Sequence, residues 1–161
     1  MNLIRIFTLA AALCLLLAAC AKKEYSSEYS CLELCRYAAE SIGGGEDYSE
    51  YGDEHLRYTF DSDDHRSKDK CVLYSDDVRD IGEIGVFLAE STSEARMIAE
   101  ECEDYLEELY EEQRAFISSY APNELTKLKN ATVRRYGNYV VYAVADDVDT
   151  VFSEIERRLT R

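Results

Sequence analysis

The sequence predicts an α+β fold: a two-layer sandwich in which helices pack on a mainly antiparallel sheet of about five strands, preceded by a signal helix. Three observations carry that expectation. Apolar residues recur at helical spacing in several separated segments, short runs between them alternate or are apolar throughout as strands do, and Gly137-Asn138 joins two such runs as a tight hairpin. A length of 161 residues suits one domain, and 47% hydrophobic with 32% charged residues excludes a wholly disordered chain. With 33 acidic against 18 basic residues the net charge is -15, which argues against a nucleic-acid partner, because replacing phosphate counterions takes clustered Lys and Arg.

The first element is the signal helix, residues 1–19. Arg5 precedes a charge-free run from Ile6 to Ala19, shorter than the roughly 20 apolar residues a bilayer core requires of a helix. Leu17-Ala18-Ala19-Cys20 then resembles the lipobox of bacterial lipoproteins. That resemblance implies that Cys20 is the first mature residue, its sulfur carrying a diacylglycerol, with a second or third chain making the anchor stable. Loss of residues 1–19 removes one Arg and no acid, so 17 basic and 33 acidic residues remain, a balance of -16. Residues 20–30 read as the lipid site and a polar tether, with Lys22 and Lys23 beside the headgroups and a reach of roughly 35 Å if fully extended.

Residues 31–161 read as a single α+β domain without internal repeats. Cys31, Leu34, Cys35, Ala38 and Ile42 lie at helical spacing, and Gly43-Gly44-Gly45 ends that helix. Leu56, Tyr58 and Phe60 alternate with polar residues and predict a half-buried strand, followed by an exposed loop and a second strand over 70–74. Ile84 to Ala89 is apolar almost throughout, so this third strand lies deep in a sheet. Ser91 and Glu94 fit a capping box that opens a long helix, whose inward face runs through Ala95, Ile98, Cys102, Tyr105 or Leu106, Leu109, Gln113, Phe116 and Tyr120. Pro122 precedes a short helix bearing Leu125 and Leu128. The hairpin strands are 132–136 and 139–145, and Asp146 or Asp147 caps a last helix with Val151, Phe152, Ile155 and Leu159 inward.

Ile84-Gly85-Val86-Phe87, the acidic long helix, Ser119-Tyr120-Ala121-Pro122, Gly137-Asn138-Tyr139-Val140 and Ala145-Asp146-Asp147 occur in an order that resembles the bacterial domain of unknown function 4358 over about residues 81–160. Such domains are typically carried by lipoproteins of clostridial Firmicutes. The resemblance implies a fold and a location but transfers no catalytic residue. Structural roles account for its motifs: a turn at Gly137-Asn138, a helix start at Pro122, and Tyr120 anchoring the end of the long helix.

Four cysteines of the mature domain, Cys31, Cys35, Cys71 and Cys102, are candidates for disulfides in an exported protein. Cys31 and Cys35 stand one turn apart on one helix face, which favours cross-links from them to Cys71 and Cys102. Four reduced thiols in apolar stripes fit equally well, and a four-thiolate zinc site is a third reading that lacks paired C-x-x-C knuckles. The segment Asp61-Ser62-Asp63-Asp64-His65 offers oxygen ligands but fails the calcium-loop pattern, with Arg66 where Gly belongs and Val72 where the twelfth-position Glu belongs. The carboxylates of Glu100, Glu101, Glu103, Asp104, Glu107, Glu108, Glu111 and Glu112 form a ridge that reads first as a solvated face.

His55 and His65 are the only histidines, and no nucleophile-elbow, zincin or phosphate-loop motif occurs, so no catalytic residue, metal site or cofactor is expected. Thirteen tyrosines are read mainly as caps on a small sheet. The functional expectation is a lipid-anchored protein on the extracytoplasmic face of the cell membrane, without enzymatic activity, acting by binding another envelope protein. No small-molecule ligand is identifiable. The alternative is an extracytoplasmic cation-binding module using acidic surface residues.

Overall fold

Residues 23–26, 28–60 and 67–160 are described by the computed structural model, so the signal helix, Leu17, Ala18, Ala19 and Cys20, and the Asp61–His65 segment lie outside the described residues. The elements in chain order are α1 (Cys31–Ser41), β1 (Tyr48–Glu50), α2 (Asp53–Thr59), β2 (Ser67–Ser75), β3 (Glu83–Ala89), α3 (Thr92–Tyr120), α4 (Leu125–Asn130), β4 (Thr132–Tyr136), β5 (Tyr139–Val144) and α5 (Val148–Leu159). The five strands form one sheet in the order β1-β2-β3-β5-β4, and every neighbouring pair is antiparallel. The expected α+β class with an antiparallel sheet of five strands is what the chain adopts.

Helices cover both faces of that sheet, so a helix layer lies on each side where the two-layer expectation places one. Strand side chains alternate between faces. Cys71, Leu73, Ile84, Val86, Val141 and Ala143 meet α1 and α5, whereas Val72, Phe87, Val140, Tyr142 and Val144 meet α2, α3 and α4. The reason is in the strands themselves: all six residues of β5 and all but Leu88 of β3 are buried. A strand apolar on both faces has to be covered twice.

Local chemistry places the helix ends, although the capping box expected at Ser91 is half formed, Glu94 accepting from the Ser91 hydroxyl at 2.9 Å and not from its amide. Ser30 accepts from the Glu33 amide at 3.2 Å while its own amide donates to Glu33 at 2.9 Å, closing a capping box on α1. Ser91 accepts from the Glu94 amide at 3.2 Å to start α3, and Asp147 accepts from the Thr150 amide at 3.0 Å to start α5. The β4–β5 turn has Gly137 at φ 63, a conformation glycine adopts without strain. The end of β3 and the start of α3 are tied to it, with the Ala89 amide donating to the Asn138 carbonyl at 2.9 Å and the Thr92 hydroxyl lying 3.3 Å from the Asn138 side chain.

Two elements differ from the sequence expectation. The Leu56-Tyr58-Phe60 alternation belongs to helix α2, not to a strand. Leu56 and Phe60, four apart, both enter the core, while Tyr58 is 93% exposed. Three apolar residues over five positions fit either period, and Asp53 and Glu54 at the helix start favour the helix. The fifth strand is instead β1, three residues pairing Tyr48–Glu50 with Leu73–Ser75. Along α3 the buried face ends at Ile117, leaving Phe116 61% and Tyr120 77% exposed and in ring contact with each other at 4.7 Å. Tyr120 therefore does not anchor the helix end.

The expected tether is partly docked. Tyr25 forms a β-bridge with Thr160, the Ser26 amide donates to the Leu159 carbonyl at 2.7 Å, and Lys23 pairs with Glu156. The Tyr25 ring meets Tyr136 edge-on at 5.6 Å.

Gly85 is required by packing. A Cβ there would stand 2.0 Å from the Tyr142 ring, which lies directly across from it in β5. We expect Gly85→Ala to destabilise the domain by about 2 kcal/mol through overpacking. Paired with Tyr142→Ala, the loss in chemical denaturation should fall clearly short of the sum of the single losses; strict additivity would refute the contact.

Candidate binding cleft at one end of the sheet

The end of α1, the β2–β3 connection, α4 and the start of α5 converge at one end of the sheet and enclose a cleft of about 830 Å3. Each wall has a local cause. Gly43 at φ 80 stops α1, with the Gly44 amide donating to the Ala39 carbonyl at 2.9 Å. The β2–β3 connection is held to the loop before β1 by the Asp76 amide, which donates to the Asp47 carbonyl at 2.8 Å. Asp147 caps α5 beside Asp146.

Asp47, Asp76, Asp77, Asp80, Asp146 and Asp147 line the cleft, and Lys127 is the one cationic side chain among the lining residues. Lys127 is buried, and its ammonium reaches Asp80 at 2.7 Å, Glu124 at 2.9 Å and Asp146 at 3.4 Å. Burial pulls its pKa down, but hydrogen bonds to Asp80 and Glu124 and their charges outweigh burial and leave it above the ordinary lysine value. Burial likewise pushes Asp80 up, and the Lys127 hydrogen bond together with the Gly82 amide more than reverses that, leaving it below the usual carboxylate range. Hydrogen bonds from Arg79 and from Thr150 lower Asp77 and Asp147 respectively. At neutral pH the cleft is therefore a negative cavity with a fully engaged lysine in its wall. The carbonyl end of α1 at its rim adds to the negative field.

A second polar constellation lies under the sheet, beside α3. The Glu83 side chain, at the first residue of β3, is buried and accepts hydrogen bonds from Tyr105 at 2.9 Å, Tyr51 at 3.4 Å and Tyr142. Burial raises the Glu83 pKa, and the three phenols oppose that shift without cancelling it. Burial and the Glu83 charge push Tyr51 up to about 12. These tyrosines join β1's exit, α3 and β5 through one carboxyl group, a structural role that sequence reading missed. A signal existed: an acid heading an apolar strand that also carries an interior glycine.

The four thiols are free and buried. Cys31, Cys35 and Cys71 belong to the α1/α5 side of the sheet and Cys102 to the α3 side. The sheet lies between Cys102 and the two α1 cysteines, an arrangement that suits the reading of four reduced thiols in apolar surroundings and separates Cys102 from the other three. Burial pushes Cys31, Cys35 and Cys102 well above the usual thiol value, which leaves them poor nucleophiles. The α3 ridge faces outward at Glu100, Glu103, Asp104, Glu107, Glu108, Glu111 and Glu112, and His55 stacks on Tyr51 at 3.9 Å. Among the described residues no group of three or more His, Cys, Asp or Glu side chains is placed to hold a metal ion.

The family described as Domain of unknown function (DUF4358) matches residues 43–145, most of the chain. The chain belongs to the DUF4358 family. The matched region starts earlier than the resemblance over about 81–160 and stops before α5. It contains the Glu83 cluster, Lys127 and the cleft residues from Gly43 to Ala145, while Cys31, Cys35 and the α5 cap lie outside it. Comparison with curated proteins and with solved structures gave no match.

Replacing Lys127 with Met in this DUF4358 domain leaves Asp80 and Glu124 facing each other without a counter-charge, and should cost about 3 kcal/mol at neutral pH. The sign follows from the shifts. Asp80, lowered in the fold, stabilises above its unfolded pKa and loses that contribution as pH falls. Lys127, raised in the fold, stabilises below its unfolded pKa and loses that contribution in strong alkali. Urea titrations should thus show the gap between Lys127→Met and the native protein widest from about pH 5 to 9 and narrowing in acid. A gap independent of pH would contradict the pairing.

Proposed function

We propose that the protein is an envelope lipoprotein, anchored through Cys20 on the extracytoplasmic face of the membrane, whose DUF4358 domain works by holding a basic segment of another envelope protein in its acidic cleft. The cleft carries this reading: six aspartates from three segments line one cavity whose single lysine is already engaged by carboxylates. Such a cavity attracts lysine or arginine side chains and repels acids, phosphates and anionic lipid. The anchor is supported by the leader and the Leu17-Ala18-Ala19-Cys20 sequence. Among the described residues, no helix is long and apolar enough to cross a membrane.

The domain acts without chemistry of its own in this reading. Burial raises the pKa of Cys31 and Cys102, and the buried Lys127 is committed to three carboxylates. A metal-ion role for the cleft has less support, because among the described residues no three of its acids are grouped so as to hold one ion.

Two measurements test the proposal. A fluorescent Lys-rich peptide should bind the protein in a salt-sensitive manner, and Asp47→Asn combined with Asp76→Asn should weaken that binding several-fold at low ionic strength. Binding that ignores both substitutions would remove the cleft from the function, and a Ca²⁺- or Zn²⁺-dependent rise in melting midpoint would favour the cation reading instead. Separately, Cys20→Ser should release the protein from the membrane fraction; unchanged retention would contradict the lipid anchor.

A further inference from the structure

The two ends of the sheet are chemically unlike, and the chain start is fastened to one of them. Strand register puts Ser67, Ala89 and Tyr139 at one end of β2, β3 and β5, and Tyr74, Glu83 and Val144 at the other. The acidic cleft opens at the second end. The docked segment, with Lys23 paired to Glu156 and Tyr25 bridged to Thr160, sits at the first, where a separate hollow of about 540 Å3 is lined by Lys23, Tyr25, Lys68 and Asn138. Seven residues of β3 separate the ends by about 23 Å at roughly 3.3 Å per residue.

We infer that the domain stands end-on against the bilayer, with the Lys23/Lys68 end as its membrane-contacting surface and the acidic cleft turned away from the lipid. The inference rests on the lipid-anchor reading. Five residues link Cys20 to Tyr25, so a lipid on Cys20 holds the Tyr25 end within about 17 Å of the anchor point whatever path the chain takes. Because Tyr25 is fixed to α5 and to the β4–β5 turn, that leash restrains the whole domain and not a free tail. Electrostatics adds to it. Lys23 and Lys68, each paired with a glutamate (Glu156 and Glu90) yet 60% and 50% exposed, leave the near end balanced in charge, while the aspartates that line the far end are repelled by anionic headgroups. The occupant of the near surface is thus an anionic bilayer, and the cleft, being acidic and distant, faces a soluble or surface-borne partner.

The test uses the full lipidated protein in vesicles of phosphatidylethanolamine and phosphatidylglycerol. Introduced thiols, one per variant, are labelled with an environment-sensitive dye: Glu90→Cys at the near end of β3 and Val78→Cys, a fully exposed position in the β2–β3 connection. The native domain thiols are buried and should stay unlabelled. Quenching by headgroup-attached quencher should be several-fold stronger at position 90 than at 78. Loosening the strap with Lys23→Ala and Tyr25→Ala should erase most of that contrast. Equal or reversed quenching in protein that floats with the vesicles would overturn the orientation while leaving the anchor intact. Failure to float would instead remove the anchor reading itself. Full contrast in the loosened variant would show that the strap does not set the orientation.

Discussion

Strands β3 and β5 bury side chains on both of their faces, and the requirement to keep both faces from water shapes everything else in the domain. Ile84, Val86, Val141 and Ala143 call for one helix layer and Phe87, Val140, Tyr142 and Val144 for another. Each buried aliphatic side chain contributes about 1.5 to 3 kcal/mol relative to exposure, so neither layer is dispensable. The chain meets the demand by sending α1 and α5 to one face and α2, α3 and α4 to the other. Antiparallel pairing throughout lets short connections do most of this, with the long α3 crossing used once, between β3 and the β4–β5 hairpin.

The same constraint explains where polar chemistry can sit. Within the described residues the sheet faces are occupied by apolar cores, and the one carboxyl placed between sheet and α3, Glu83, is satisfied by three phenols. Gly85 and Tyr142 make that possible, because the absent Cβ lets the ring lie flat enough for its hydroxyl to reach the acid. A buried polar group that bridges three elements restricts how the sheet and α3 register against each other, since any slip leaves a carboxyl without donors.

Long periodic segments were legible from sequence: α1, α3, α5, β3 and the β4–β5 hairpin follow from spacing, caps and the Gly137-Asn138 turn. α2 and β1 were not, because the seven residues of α2 supply too few apolar positions to separate a period of two from one of 3.6, and β1 is three residues in polar surroundings. The candidate cleft was illegible for a different reason. Asp47, Asp76, Asp80, Lys127 and Asp146 are scattered along the chain and meet only through topology, whereas the contiguous acids of α3 drew attention and face solvent. The cysteines show the same limit: helix spacing places Cys31 and Cys35 on one face but cannot say that Cys102 lies beyond the sheet from them.

With both faces covered, the two ends of the strands carry concave surfaces built from several elements. At one end the β4–β5 turn, the α5 terminus and residues 23–26 occupy the available edges, and Tyr25 fills the space beside Gly137. The other end is left to loops, and there the helix starts and stops bring acids together: Asp147 caps α5, Asp80 accepts from the Gly82 amide and Lys127, and α1 ends in glycine. Each of those acids has a local reason to be present, yet their sum is a field that no single turn requires. Lys127 offsets only part of it, since Asp47, Asp76, Asp77 and Asp147 line the same cavity outside its ion pairs. The asymmetry between the strapped end and the open, negative end is thus a consequence of covering the sheet twice, and it makes the open end the place where an interaction surface has room to evolve.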